Sequence, residues 1–185
     1  ALAMLDALPY LLEYPYGCTE QTLNRFLPAV LTRTTLRKLG YSLQDLQQKK
    51  VNLNPQELGD PDERAKRNFS RSGEHSPVFS DAEMDKIIHQ GLADLAAMRC
   101  ADGGWGWFSG WGEISLPHLT AQIVHGLLLA RKCGIEVPSD LLQPGINWLV
   151  RYQRRELERL RKQPNEQDYK DHADHLDALV FKVLC

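Results

Sequence analysis

In the run Gly17-Cys18-Thr19-Glu20-Gln21, a cysteine precedes a glutamine at i and i+3. Residues so spaced on a helical turn share a face, with Cβ atoms roughly 5–6 Å apart. The Cys18 sulfur then lies within reach of the Gln21 side-chain carbonyl carbon. Attack of sulfur on that carbon, with departure of ammonia, would join them as an internal thioester. Such an ester is a stored acyl electrophile, able to acylate an amine, a hydroxyl or water. Cys18 becomes the leaving group of that later step, which inverts its usual nucleophilic role.

Cys-x-Glu-Gln is a short pattern, and short patterns recur by chance. Its surroundings give it weight. Tyr14-Pro15-Tyr16-Gly17 reads as a rigid turn, with Pro15 fixing φ and Gly17 free to adopt conformations barred to other residues. Leu23, Phe26, Leu27, Val30 and Leu31 then recur at helical spacing. Cys18 to Gln21 are therefore expected to form the first turn of a helix. A helix N-terminus carries partial positive charge and favours a thiolate, which helps sulfur both attack and depart. Glu20 is expected to support the turn through an N-terminal hydrogen bond. The same residues also allow a plainer reading, a structural cysteine at a helix start with Glu20 and Gln21 solvated. The chain would then be a helical binding module in which the trio never cyclises.

The elements that must hold this turn read as helices only. Ala1 to Leu12 is apolar and helical in character. Thr19 to Leu39 follows the turn, kinked or interrupted at Pro28 and stopped by Gly40. Ser42 to Gln48 adds a short helix. Residues 52–79 are polar, contain Pro55, Pro61 and Pro77, and lack apolar periodicity, so they read as a mobile insertion. Ser80 or Asp81 caps a helix running to about Arg99. His118 to Lys132 comes next, stopped by Gly134, followed by Ser139 to about Arg161 with Pro144 in its first turns. Asp168 to Leu184 closes the series. Helices with no alternating segments predict an all-α fold. The order suggests imperfect helical hairpins of roughly forty residues.

With 185 residues, one domain is expected over 1–185. A chain of this size buries about 70% of its unfolded surface, enough for a core without disulfide staples. Lys and Arg total 22 against 24 Asp and Glu, a net charge of −2 that calls for neither nucleic acid nor an anionic membrane. No apolar run approaches the roughly 20 residues that span a bilayer. With no initiating methionine or signal peptide, and with helical character at both ends, the chain reads as a piece of a longer protein.

Gly103-Gly104-Trp105-Gly106-Trp107-Phe108-Ser109-Gly110-Trp111-Gly112 is the second conspicuous stretch. No Lys-Ser/Thr follows it and no strand precedes it, so a phosphate-cradling loop is excluded. Three indoles and a phenyl ring in one loop can bury a large apolar area and pack helix ends together. The functional alternative assigns Trp105, Trp107 or Trp111 to keeping water off the thioester, since a stored acyl electrophile survives only where water is excluded. His172-x-x-His175 among Asp171, Asp174 and Asp177 would place two imidazoles on one helical face. Zinc usually takes further ligands at recognisable spacing, and none is evident, so a solvated charged face is the expectation. His118 and His125, seven apart, share a stripe of their helix and are expected to serve packing or the surface. No metal or cofactor is called for. Beyond Cys18, the cysteines are Cys100, Cys133 and Cys185, an odd remainder that leaves a free thiol.

Tyr14-Pro15-Tyr16-Gly17-Cys18-Thr19-Glu20-Gln21-Thr22 resembles the thioester region of the alpha-2-macroglobulin and complement superfamily, particularly its bacterial members. The resemblance continues through Asn24-Arg25-Phe26-Leu27-Pro28, Asp102-Gly103-Gly104-Trp105-Gly106-Trp107, Leu119-Thr120-Ala121 and Asn147-Trp148-Leu149. It covers most of the chain outside residues 52–79 and 154–168. It implies part of an α/α toroid of inner and outer helices within a larger multidomain protease trap. It further implies Cys18 and Gln21 as the thioester pair, covalent acylation of a captured protease in a single turnover, neighbouring domains as partners, and an extracytoplasmic location. Such a location would permit a Cys100–Cys133 disulfide.

Two positions depart from the family pattern. Thr19 stands where many animal members carry glycine, and His118 where animal relatives often carry tryptophan. A histidine that redirects the ester in complement relatives has no counterpart that aligns here. Asp102-Gly103-Gly104-Trp105-Gly106 also resembles the Asp-Gly-Gly-Trp-Gly turns of terpene cyclases, a second α/α toroid class. Those enzymes need an Asp-x-Asp-Asp proton donor, and the nearest string, Asp60-Pro61-Asp62-Glu63, falls in the polar insertion.

Overall fold

The computed structural model describes residues 17–41, 80–110 and 112–185. The expected helices at 1–12 and 42–48, the turn residues Tyr14 to Tyr16, the insertion 52–79 and Trp111 lie outside these. The described residues form five α-helices: α1 (Thr19–Lys38), α2 (Asp81–Ala97), α3 (Pro117–Lys132), α4 (Ser139–Leu160) and α5 (His175–Leu184). Among the described residues the only β pairing is an isolated bridge between Arg99 and Trp105, so the fold is all-α as expected. No helix among them is long and apolar enough to cross a membrane.

The helix ends follow from local chemistry. Ser80 accepts a hydrogen bond from the Glu83 amide at 3.3 Å and starts α2. Gly40 and Gly134 stop α1 and α3 at φ +73° and +83°. Each stop pairs two amides with the last turn: Gly40 to Arg37 and Tyr41 to Leu36, then Gly134 to Arg131 and Ile135 to Ala130, all at 3.0–3.1 Å. Both are the six-to-one and five-to-two bonds of the Schellman motif, which a left-handed glycine permits. Helix α1 runs unbroken through Pro28, contrary to the expected interruption. One missing amide donor is tolerated there because the flanking residues Phe26, Ala29 and Val30 are fully buried and hold the helix by packing.

Helix α3 is the organising element, packing against α1, α4 and α5, while α2 lies along α1 and α5 along α4. Ile123, Val124 and Leu127 of α3 are fully buried with Phe26, Leu95, Trp105, Leu149 and Val180. Close approach is made possible by missing side chains. A Cβ at Gly91 would stand 2.8 Å from the Phe26 Cβ, and one at Gly145 would stand 2.6 Å from the Trp105 ring and 2.8 Å from Val124. Thus α2 seats on α1, and α4 on the indole, through bare backbone.

Pro144 gives α4 a second anchor. Lacking an amide hydrogen, it leaves the Asp140 carbonyl without its usual helical donor. The Arg99 guanidinium donates to that carbonyl instead, tying the end of α2 to α4.

The last helix is shorter than expected. Asp168 sits at φ +62°, a left-handed conformation that a helix interior does not accept. Lys170 is drawn away into bonds with Glu156 at 2.9 Å and Asp177 at 2.6 Å. Asp174 then starts α5 as a capping box, accepting from the Asp177 amide at 3.0 Å while Asp177 accepts from the Asp174 amide at 2.8 Å. His172 consequently precedes the helix, and the expected two-histidine helical face does not form. Its imidazole pairs with Asp171 at 3.4 Å. Among the described residues no group of His, Cys, Asp and Glu is arranged to hold a metal ion.

Candidate functional site: the capped turn at Cys18–Gln21

Cys18 is the N-cap of α1, in extended backbone conformation, and Gln21 is the third helical residue. Their groups cross. The Gln21 amide donates to the Cys18 sulfur at 3.4 Å, and the Cys18 amide donates to the Gln21 carboxamide oxygen at 3.2 Å. Both residues are half-buried. The carboxamide is thereby folded back over the turn, with its carbonyl carbon one bond from an oxygen fixed beside the Cys18 backbone. Sulfur and carboxamide are thus both bonded within one helical turn. The bond expected of Glu20 is made by Gln21. Glu20 occupies the second helical position, half-buried, where its negative charge suits the helix N-terminus.

A wall from the far side of the fold closes against this turn. Thr19 is fully buried. Its amide and its hydroxyl both donate to the Trp107 carbonyl oxygen, at 2.9 and 3.1 Å. Thr22, also buried, places its hydroxyl 3.6 Å from the Met98 sulfur. The glycine-aromatic loop between α2 and α3 is thus docked on the first turn of α1. The Trp107 indole meets the His118 imidazole edge-on, with ring centroids 5.7 Å apart. His118 therefore touches the ring of the residue whose carbonyl grips the turn. His125, two turns further along α3, is set towards Lys182 and Lys132. Burial, then these two ammonium groups, lower its pKa.

Trp105 is the structural indole of the loop. It is fully buried, donating from its ring nitrogen to the Leu95 carbonyl at 2.8 Å, and its amide donates to the Thr120 hydroxyl at 2.9 Å. Trp107 and Phe108 are exposed by 41% and 61%, so among the described residues of the loop these rings can meet solvent or a covering surface. Trp105 thus fills the packing role expected of the stretch, and Trp111 lies outside the described residues.

Asp102 organises the other end of the loop. Its carboxylate accepts from Ser115 at 2.5 Å, from the Gly104 amide at 3.2 Å and from the Trp148 ring nitrogen at 2.8 Å. Burial pushes the Asp102 pKa up, but those donors and the Arg151 charge outweigh it and hold the group below the ordinary carboxylate value. Sequence reading passed over Asp102 and the role of Thr19. An Asp ahead of Gly-Gly is a signal for a side chain that bonds its own turn. A hydroxyl residue at the first helical position carries no comparable signal, because its acceptor lies in a loop 88 positions away.

The four cysteines are free. Cys133 closes α3, and the Cys100 amide donates to the Gly104 carbonyl, next to Trp105, whose amide donates to Thr120 in the first turn of α3. Thirteen residues of helix separate Thr120 from Cys133, about 20 Å at 1.5 Å per residue, far beyond disulfide reach.

No family model matches the chain. It is 29% identical over 147 residues to an alpha-2-macroglobulin of Thermotoga maritima, covering 80% of this chain and 7% of that protein. It is likewise 29% identical over 133 residues to an alpha-2-macroglobulin of Ralstonia nicotianae, covering 70% of this chain and 6% of that protein. The fold is shared with native Escherichia coli alpha-2-macroglobulin at 24% identity and a TM-score of 0.53, over 99% of this chain and 9% of the other. A crystal structure of the same protein from domain MG7 to its C-terminus superposes with a TM-score of 0.54, over 21% of its length. The chain spans less than a tenth of the curated relatives it matches. Sequence similarity and shared fold together make it a relative of the alpha-2-macroglobulins, corresponding to a small stretch of their C-terminal region.

Proposed function

We propose that the Cys18–Gln21 turn carries an internal thioester and that the chain is a portion of the thioester domain of a protease trap. The single observation that carries this reading is the crossed pair of bonds at the turn, which folds the carboxamide back beside the sulfur. In the condensation the Cys18 S–H bond and the Gln21 C–N bond break, the S–C bond forms, and ammonia departs. In the second step an amine of a captured protein attacks the acyl carbon, an amide bond forms, and the Cys18 thiolate leaves with the proton passing to sulfur or solvent. Each chain reacts once, so the activity is stoichiometric covalent capture rather than turnover. The docked loop supplies one wall against water, and the exposed rings of Trp107 and Phe108 await a covering surface from a neighbouring domain of the parent protein. The resemblance to alpha-2-macroglobulins supports a parent that works outside the cytoplasm, in the periplasm, on the cell surface or secreted.

A plain capping box is the second reading, because the same two hydrogen bonds satisfy the helix end without any covalent chemistry. Intact mass with and without methylamine, combined with thiol counting, separates the two. A thioester leaves the native mass short by one ammonia, and methylamine adds its mass while releasing one new thiol at Cys18. A full mass with Cys18 already titratable, both in this chain and in the longer parent, would sink the thioester and leave the cap.

A further inference from the structure

Among the described residues four arginines pair with carboxylates: Arg25 with Asp94, Arg33 with Asp85, Arg37 with Asp81 and Arg159 with Glu156. Others have no such partner, and three of these lie close together. Among the described residues Arg99, Arg151 and Arg155 make no ion pair. Arg99 donates to the Asp140 carbonyl, Arg151 donates to the Asp102 carbonyl at 2.7 Å, and Arg155 lies over the Tyr152 ring at 5.6 Å. All three line one surface feature. Two clefts of about 410 and 380 Å³ meet at Asp102 and Arg151, the first bounded by Arg99 and Asn147, the second by Tyr152 and Arg155.

Asp102 is the one acidic residue in either lining. Both its oxygens accept from Ser115, Gly104 and Trp148, and no guanidinium donates to them, although the Arg151 charge acts on the group. The groove therefore carries an excess of two positive charges, each guanidinium keeping N–H donors that the fold does not use. The arginines are also pre-oriented, by carbonyl bonds at Arg99 and Arg151 and by a planar ladder at Arg155. Trp148 stacks on Tyr152 with centroids 5.9 Å apart and planes 7° from parallel, and Arg155 extends the stack. Held guanidinium forks lose little freedom on pairing with a carboxylate, and a fork matches a carboxylate with two parallel bonds.

The geometry points to this groove as a docking site for an acidic peptide segment of a partner protein, with Asp or Glu side chains paired to Arg151 and Arg155, both exposed, over the buried Trp148–Tyr152 stack that holds Arg155 in place. The two clefts run on from one another through Asp102 and Arg151, which suits an extended segment better than a single small molecule. It is separate from the Cys18–Gln21 turn and independent of whether a thioester forms.

A test uses the full chain titrated by calorimetry with a short Glu-rich peptide, a Lys-rich peptide of equal length, inorganic phosphate and a single-stranded oligonucleotide. The expected result is saturable binding of the Glu-rich peptide alone, weakened about tenfold by Arg155→Ala and further at raised salt. Arg155 makes no bond to the fold's backbone, so its replacement leaves the structure intact; circular dichroism checks this. Arg154→Ala on the same helix serves as the control and is expected to change affinity little. Equal binding of all anions, preference for the oligonucleotide, absence of peptide binding at low salt, or equal effects of the two substitutions would each overturn the proposal.

Discussion

Thr19 donates twice to a single acceptor: its amide and its hydroxyl both bond the Trp107 carbonyl oxygen, at 2.9 and 3.1 Å. One side chain thus closes the first turn of α1 against a loop from the other side of the fold. Replacement by valine keeps shape and the amide bond but deletes the hydroxyl bond in a fully buried place. Thr19→Val is expected to cost about 1 kcal/mol in urea unfolding, since the donor is removed along with its bond and one acceptor remains served. If the thioester forms, its spontaneous loss should also quicken, read as faster thiol release at Cys18. Unchanged stability and unchanged release would show the double bond to be incidental.

Cys18→Ser isolates the chemistry from the cap. Serine is a strong N-cap residue, so the bond now made by sulfur to the Gln21 amide is retained or improved, and stability should stay within about 1 kcal/mol of the parent. Ammonia loss and methylamine incorporation should vanish. Methylamine incorporation that persists in this variant would place the acyl group elsewhere than on Cys18.

The connection into α5 should be sensitive to the loss of one ammonium. Lys170 bonds Glu156, Asp174 and Asp177, and its side chain and that of Glu156 are 12% and 7% exposed. Burial alone would lower the Lys170 pKa, but the bonds to Asp177, Glu156 and Asp174 raise it overall, so it stays charged. Lys170→Met leaves Glu156 with Arg159 as its one charged partner and strips Asp177 of its ammonium, and is expected to destabilise by about 1–3 kcal/mol. Adding Glu156→Gln should recover part of that loss. A double variant no better than the single one would locate the cost in packing.

Acid unfolding should carry a signature of Asp174. The Asp177 amide and then the Lys170 ammonium hold its pKa down to about 2, from 3.8 for the free group. A depressed carboxylate stabilises the fold at every pH above its unfolded value, and that contribution is lost as pH falls from about 3.8 towards 2. Asp174→Asn should flatten this part of the stability profile while leaving the slope above pH 5 unchanged, followed by circular dichroism. Asp102, also depressed, remains in the variant and continues to titrate, so the profile is not expected to become level.

Gly145→Ala tests the seat of α4. The added Cβ would stand 2.6 Å from the Trp105 ring, and that ring cannot swing aside without losing its bond to Leu95. A loss of about 1–3 kcal/mol is expected, the range for overpacking a filled core. Thermal unfolding with no loss would mean that α4 slides freely over the indole.

Helices were readable in this sequence wherever a stop or cap had its own chemistry. Gly40 and Gly134, Ser80 and the apolar spacing after Gln21 placed four elements to within about two residues. The misplaced start of α5 came from Lys170, whose partners Glu156 and Asp177 belong to two other segments and could not be paired by local rules. The site was legible for a similar reason and to a similar depth. Cys18 and Gln21 are three residues apart, so their meeting is local. The exchange of roles between Glu20 and Gln21 depends on which residue starts the helix, and the wall at Trp107 depends on the whole fold.

That wall has a consequence for the order of events during folding. Trp107 is separated from Thr19 by 88 positions, whereas Cys18 and Gln21 need only a single turn of helix to meet. Closing so long a loop costs entropy that only the packing of α2 and α3 can offset. Before α3 and the loop are in place, Cys18 and Gln21 meet only as often as the first turn of α1 forms by itself, and always in open water, so docking of the loop is what both fixes and encloses the pair.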